Sequence, residues 1–342
     1  MKKIIIVSLV STVSLCIAFI DGAYSSQNKN CYIPNIINCS NIIADNNSID
    51  SAVIYFKCGV VFDGAGRPVE AISDFTKAIK IHPKFAMAYY NRGIVYEKTG
   101  DMSQAIYDYS KSIELNPKYE NAYYSRGTDY GKQGNFVQAI SDFNKTIELN
   151  PKYARAYINR GVVFRRQGNL SQAISDYSRA IEINPNDAYV YYDRGVIYTK
   201  QGKLAQAIAD YAKAIEINPK YAKAYDNRGA AYSEQGKFSQ ALPDLIEAIK
   251  LNPNDSREYY NRGRVYDKQN KFSQALSDYN KAIELNPKDE KAYFSRAFAY
   301  FGEKDYNKAW ADVNKAEALG YSPDKEGLEF LGKLKKLSGR SQ

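Results

Sequence analysis

Residues able to do chemistry are plentiful in this chain, but they do not converge. The one histidine, His82, stands directly before Pro83 at what reads as a helix end. Cys31 and Cys39 lie eight residues apart in a polar, Asn-rich stretch, and Cys58 falls within a helical pattern, so the paired spacing of a metal site is missing. No phosphate-cradling glycine loop and no nucleophile motif occurs. The charges that recur in step are Arg92, Arg126, Arg160, Arg194, Arg228, Arg262 and Arg296, with Asp74, Asp108, Asp142, Asp176, Asp210, Asp244, Asp278 and Asp312. Opposite charges repeated at a fixed interval read as scaffold ion pairs, since catalysis needs acids and bases gathered at one place. No enzymatic activity, cofactor or metal is expected.

The interval is 34 residues. Pro83, Pro117, Pro151, Pro185, Pro219, Pro253 and Pro287 mark it, and the copies run 52–85, 86–119, 120–153, 154–187, 188–221, 222–255, 256–289 and 290–323. Counting from the first residue of each copy, position 4 is always Tyr, position 8 is Gly until Ala297, and position 11 is always Tyr or Phe. Positions 4, 8 and 11 form one stripe of a helix, and positions 20, 24 and 27 form a stripe of a second. Gly100, Gly134, Gly168, Gly202 and Gly236 at position 15 predict the left-handed end of the first helix. Asp101, Asn135, Asn169 and Asp305 at position 16 are ready N-caps for the second. The proline near each copy's end stops that helix, because the residue before a proline avoids helical geometry. The 342 residues therefore form one array of stacked helix pairs rather than the two domains that length alone suggests. The 31 tyrosines follow from repeat positions and call for no cofactor.

The pattern resembles the tetratricopeptide repeat family, with its aromatic at 4, Leu-Gly at 7 and 8, Tyr at 11, Ala at 20, aromatic at 24 and Pro at 32. The resemblance implies an all-α fold, a right-handed superhelical solenoid of antiparallel helix pairs. One departure is regular: position 7 is Arg in seven copies, and position 23 is Asp in all eight. Both lie eight residues from the turn at position 15, so an ion pair is expected. The first copy has Asp74 but Cys58 in place of Arg, so pairing each Asp with the Arg of the following copy, Asp74 with Arg92 and onward, would satisfy every arginine. Such a ladder fixes register more than it adds net stability.

In the family, positions 2, 5, 9 and 12, with 13 nearby, line the inner concave surface. Here they supply Tyr90, Tyr124, Tyr192 and Tyr260 with Lys132, Arg155, Arg165, Arg166, Lys223, Arg257 and Arg264, against Glu97, Asp226, Glu234 and Asp267. Unlike the packing positions, these vary between copies. An aromatic, mildly basic groove is expected to hold a protein or peptide segment of acidic character, since Tyr and Arg are frequent interface anchors. The family's carboxylate clamp needs Lys at 5 with Asn at 9, and no copy has either. Acidic residues interspersed with the basic ones argue against nucleic acid despite the net charge of +9.

Residues 1–25 read as a signal peptide: Lys2 and Lys3, an apolar run over 4–20, then Ala23-Tyr24-Ser25. Two outcomes stand, cleavage after Ser25 with release to the periplasm or medium, and retention as an N-terminal anchor, in which case alone a membrane is involved. Residues 26–51 are a polar lead-in, where an exported chain is expected to form a local Cys31–Cys39 disulfide. Cys58 reads as a small packed residue. Pro243, inside a second helix, predicts a bend or irregular first turn. Residues 324–342 predict a capping helix and tail, with Leu328, Leu331, Leu334 and Leu337 as its apolar edge.

Overall fold

A computed structural model describes residues 49–338; the expected signal peptide and the Cys31–Cys39 pair lie outside the described residues. The chain divides into two units, Met1–Pro151 and Lys152–Gln342. In the first, helices α1 (Ile49–Gly64), α2 (Pro68–Ile81), α3 (Ala86–Thr99), α4 (Met102–Leu115), α5 (Glu120–Gln133) and α6 (Phe136–Leu149) form three hairpins. In the second, α7 (Ala154–Arg166), α8 (Leu170–Ile183), α9 (Ala188–Lys200), α10 (Leu204–Ile217), α11 (Ala222–Glu234), α12 (Phe238–Leu251), α13 (Ser256–Lys268), α14 (Phe272–Leu285), α15 (Glu290–Gly302) and α16 (Tyr306–Ala318) form five, closed by α17 (Lys325–Ser338). Within each unit every helix packs on its hairpin partner and on the helix that follows, and most successive first helices also touch directly.

The turn at position 15 is left-handed in every copy, with φ from 69° to 89° at Gly66, Gly100, Gly134, Gly168, Gly202 and Gly236, and 56° at Asn270 and 62° at Lys304. Asp101 and Asp305 cap the second helix as expected, accepting from the amides of Gln104 and Lys308, whereas Asn135 and Asn169 make no capping bond. Asp187, Asp255 and Asp289 cap the first helices α9, α13 and α15 instead. Pro243 does not interrupt α12, which runs the same 14 residues as α14. Ser239 and Pro243 both face solvent, so water can take the carbonyl that proline leaves without a donor.

Between the helices of each pair, Ala at position 20 is fully buried in all eight copies, and the residue at 24 is almost so, as at Phe75, Tyr109, Tyr177, Tyr211 and Tyr279. Position 8 must be small beneath that ring: a Cβ on Gly195 would stand 2.7 Å from Tyr211. The last copy reverses the trade, with Ala297 beneath Val313. Beyond it, α17 buries Phe330 and Leu334 among Phe294, Phe298 and Phe301, and Trp310 Nε1 donates to Ser338 Oγ at 2.9 Å. Leu328 and Leu337, expected in this seam, are exposed; Gly327, Phe330 and Leu334 make the buried stripe. Cys58 is buried and disulfide-bonded rather than merely packed.

Candidate functional site

The arginine–aspartate ladder lies inside the hairpins, correcting the expectation of pairing to the next copy. Arg92 grips Asp108 with Nε to Oδ2 at 2.7 Å and Nη2 to Oδ1 at 2.8 Å. The same fork joins Arg126 to Asp142, Arg160 to Asp176, Arg194 to Asp210, Arg228 to Asp244, Arg262 to Asp278 and Arg296 to Asp312. Equal distance from the turn places both partners at one height, where the planar guanidinium matches the carboxylate. Asp74, which has no arginine in its own copy, takes Lys77 at 2.8 Å. The link between copies is made by the remaining nitrogen: Nη1 donates to Thr76 from Arg92, to Ser110 from Arg126, to Ser178 from Arg194 and to Asn280 from Arg296. Tyr89 and Tyr96, at positions 4 and 11, flank the Arg92 guanidinium. These arginines are engaged in the framework of the hairpins.

The ring of each position-5 tyrosine leans on the ring at position 24 of its own hairpin. Tyr90 lies 5.8 Å from Tyr109 and 4.8 Å from Tyr119, and Tyr192 lies 5.8 Å from Tyr211 and 4.9 Å from Tyr221. Tyr124 and Tyr260 meet Phe143 and Tyr279 in the same way. One side of each ring is therefore packed while the residue stays partly exposed on the first-helix face. Asn227 Nδ2 donates to the Tyr192 hydroxyl at 3.2 Å, fixing its direction.

Several cations expected to make this face basic are held by carboxylates. Lys132 Nζ reaches Glu97 at 2.5 Å and Asp129 at 3.1 Å, and Tyr109 donates its hydroxyl to Glu97. Asp129 is fully buried, and burial first, then the Glu97 charge, push its carboxyl up to about 6. Arg165 sits beside Asp193 and Tyr177. Arg257 contacts Asp255 at 3.2 Å and Asp226 at 3.6 Å. Arg264 lies over the Tyr260 ring and beside Asp267, whose carboxyl burial pushes up to about 6. Arg155, Arg166 and Lys223 are exposed on the same helices of the second unit.

Sequence reading missed Asp129 and Glu258. Each replaces an apolar residue at a packing position: Asp129 stands at position 10, aliphatic in the other copies, and Glu258 at position 3. Comparing copies at the packing positions, and not only at the variable ones, would have found both. Among the described residues no three His, Cys, Asp or Glu side chains gather as a metal site, and no helix is long and apolar enough to cross a membrane.

The signature described as "Tetratricopeptide repeat" matches residues 86–119, 120–153, 222–255 and 256–289, a second of that description matches 143–175 and 278–311, and "TPR repeat" matches 161–202 and 195–236. No curated protein matches the chain. Among solved structures, PilF of Pseudomonas aeruginosa is similar at 20% identity and a TM-score of 0.54, covering 63% of this chain and 97% of that one. A tetratricopeptide repeat protein of Parabacteroides merdae is similar at 19% and 0.52, covering 73% and 99%. YrrB, a TPR protein with an unusual peptide-binding site, is similar at 26% and 0.48, covering 54% and 95%. With matches running unbroken from residue 86 to residue 311, and hairpins closed by a left-handed turn in every copy, the chain belongs to the tetratricopeptide repeat family.

Proposed function

We propose that this chain is an interaction scaffold outside the cytoplasm, holding an extended or partly helical segment of another protein, of acidic character, on its first-helix face. The observation that carries the reading is the second unit's combination of partly exposed Tyr192 and Tyr260 with the exposed cations Arg155, Lys223 and Arg264. Packed rings beside exposed cations suit an acidic peptide: the rings supply contact area at little entropy cost, and the cations steer encounter. The sequence of residues 1–25 and the disulfide at Cys58 support export into an oxidising compartment, with the N-terminal run as release signal or as anchor. The Arg155→Glu, Lys223→Glu variant of the mature chain, with both changes on exposed side chains, is expected to lose crosslinked partner from its own envelope or medium at least about tenfold, with unchanged melting. Undiminished capture would refute the face as the binding surface, and fractionation decides between anchored and released forms.

A further inference from the structure

The seam between the sixth and seventh copies places carboxyls where no other copy has them. Position 3, which packs against the preceding copy, is Ile54, Ala88, Ala122, Ala156, Val190, Ala224 and Ala292 in the other copies, and Glu258 here. Position 5, an aromatic ring or Ile158 in the other copies, is Asp226 here, and position 34 of the same copy is Asp255, an aspartate that copies four and seven also carry as Asp187 and Asp289. Glu258 is 0% exposed and Asp226 is 2% exposed. Neither Glu258 oxygen has a hydrogen-bond donor, while Asp226 Oδ1 accepts from Asn261 Nδ2 at 2.7 Å. The guanidinium of Arg257 stays 3.8 Å from Glu258 Oε1, drawn instead to Asp255. Three carboxyls thus surround one cation, and two of the three are out of water.

Ionised together, Asp226 and Glu258 would offer each other only acceptors in a seam that cannot solvate either charge. A single proton turns one of them into a donor and removes the repulsion. We propose that Asp226 and Glu258 hold one proton between them in the folded chain, so that this seam, and the charge around Arg257 on the first-helix face, respond to pH. Burial first, and then the Asp226 charge, push Glu258 up to about 8; Asp226 is also raised, chiefly by burial. The other groups acting on the pair are Arg257 and Asp255 at the start of α13, and Tyr192 of α9, which lies beside Asp226 and Arg257. On α12, which also packs against α13, Asp244 and Glu247 are engaged by Arg228 and Lys250.

The folded chain binds a proton that the unfolded chain releases, so the seam's stability is fully present below the unfolded carboxyl range and is lost as pH rises through neutrality to the raised value. Loss of the proton also adds a negative charge beside Arg257. For a ligand this consequence rests on the acidic-segment reading above: such a segment binds more weakly as pH rises.

The full chain, Glu258→Gln and Glu258→Ala are to be compared, the alanine being what most other copies carry at this seam. Carbon NMR of the carboxyls is expected to show one group titrating above neutrality, missing in both variants. From about pH 6 to about pH 9, amide exchange in α11 and α13, corrected for intrinsic rate, is expected to accelerate at least about tenfold more in the parent than in either variant. Carboxyls that all titrate below about pH 5, or equal acceleration in parent and variants, overturn the proposal. Labelled polyglutamate provides the separate arm. Affinity that rises toward pH 6 in the parent and stays level in Glu258→Gln supports both readings; no binding, with the high titration present, refutes the acidic-segment reading and leaves the shared proton standing.

Discussion

Arg194 carries three duties that a lysine could not combine: a two-pronged grip on its own aspartate, a third bond to the preceding copy, and stacking between two aromatic rings. Arg194→Ala, which strands the nearly buried Asp210, is expected to cost about 2–4 kcal/mol in urea unfolding, and Arg194→Met with Asp210→Leu much less. A double variant as damaged as the single one would contradict this account. Asp129 provides a pH test in the first unit. Its raised value means the folded chain holds a proton that the unfolded chain lacks, so its contribution falls as pH climbs from about 4 through about 6. Asp129→Val should therefore stabilise by about 2–3 kcal/mol at pH near 7.5 and little near pH 4, measured by urea midpoints at both. Comparing copies exposes these carboxyls as departures at packing positions, but their role is not legible there, because a lone acid looks like drift until its burial is known. The tyrosine stripe was legible because its period repeats.

Among the elements, the turn decides most. Two copies place Asn270 and Lys304 in left-handed geometry that the others give to glycine. A Cβ there costs about 1 kcal/mol, so Lys304→Gly should raise stability by roughly that amount despite glycine's larger unfolded entropy. A lowered midpoint in thermal melts would show that the Lys304 side chain contributes more than its backbone costs. Pro243 teaches the complementary lesson. Proline inside a helix is disruptive when the deprived carbonyl is buried, whereas α12 turns that carbonyl toward solvent and keeps its length. The direction in which a helix position faces is fixed by its neighbours, so residue type alone did not reveal that the helix would continue unbroken through Pro243.

For the molecule, end effects matter because a repeat buries its faces only against neighbours. Removing residues 323–342 would uncover Phe294, Phe298 and Phe301, and the shortened chain is expected to self-associate in gel filtration; a monodisperse monomer of full helicity would deny α17 its capping role. The sequence by itself determined the helix pairs, the turn handedness, the alternation of small and large packing residues and the membership of a repeat family, because each is a local rule restated every 34 residues. Only the tertiary structure decided which aspartate each arginine holds, which leucines of α17 are covered, and which cations on the first-helix face are already matched by carboxylates. Those are contests between partners at similar sequence distance or on adjoining helices, and they are resolved by height along the hairpin, direction of the side chain and access to water.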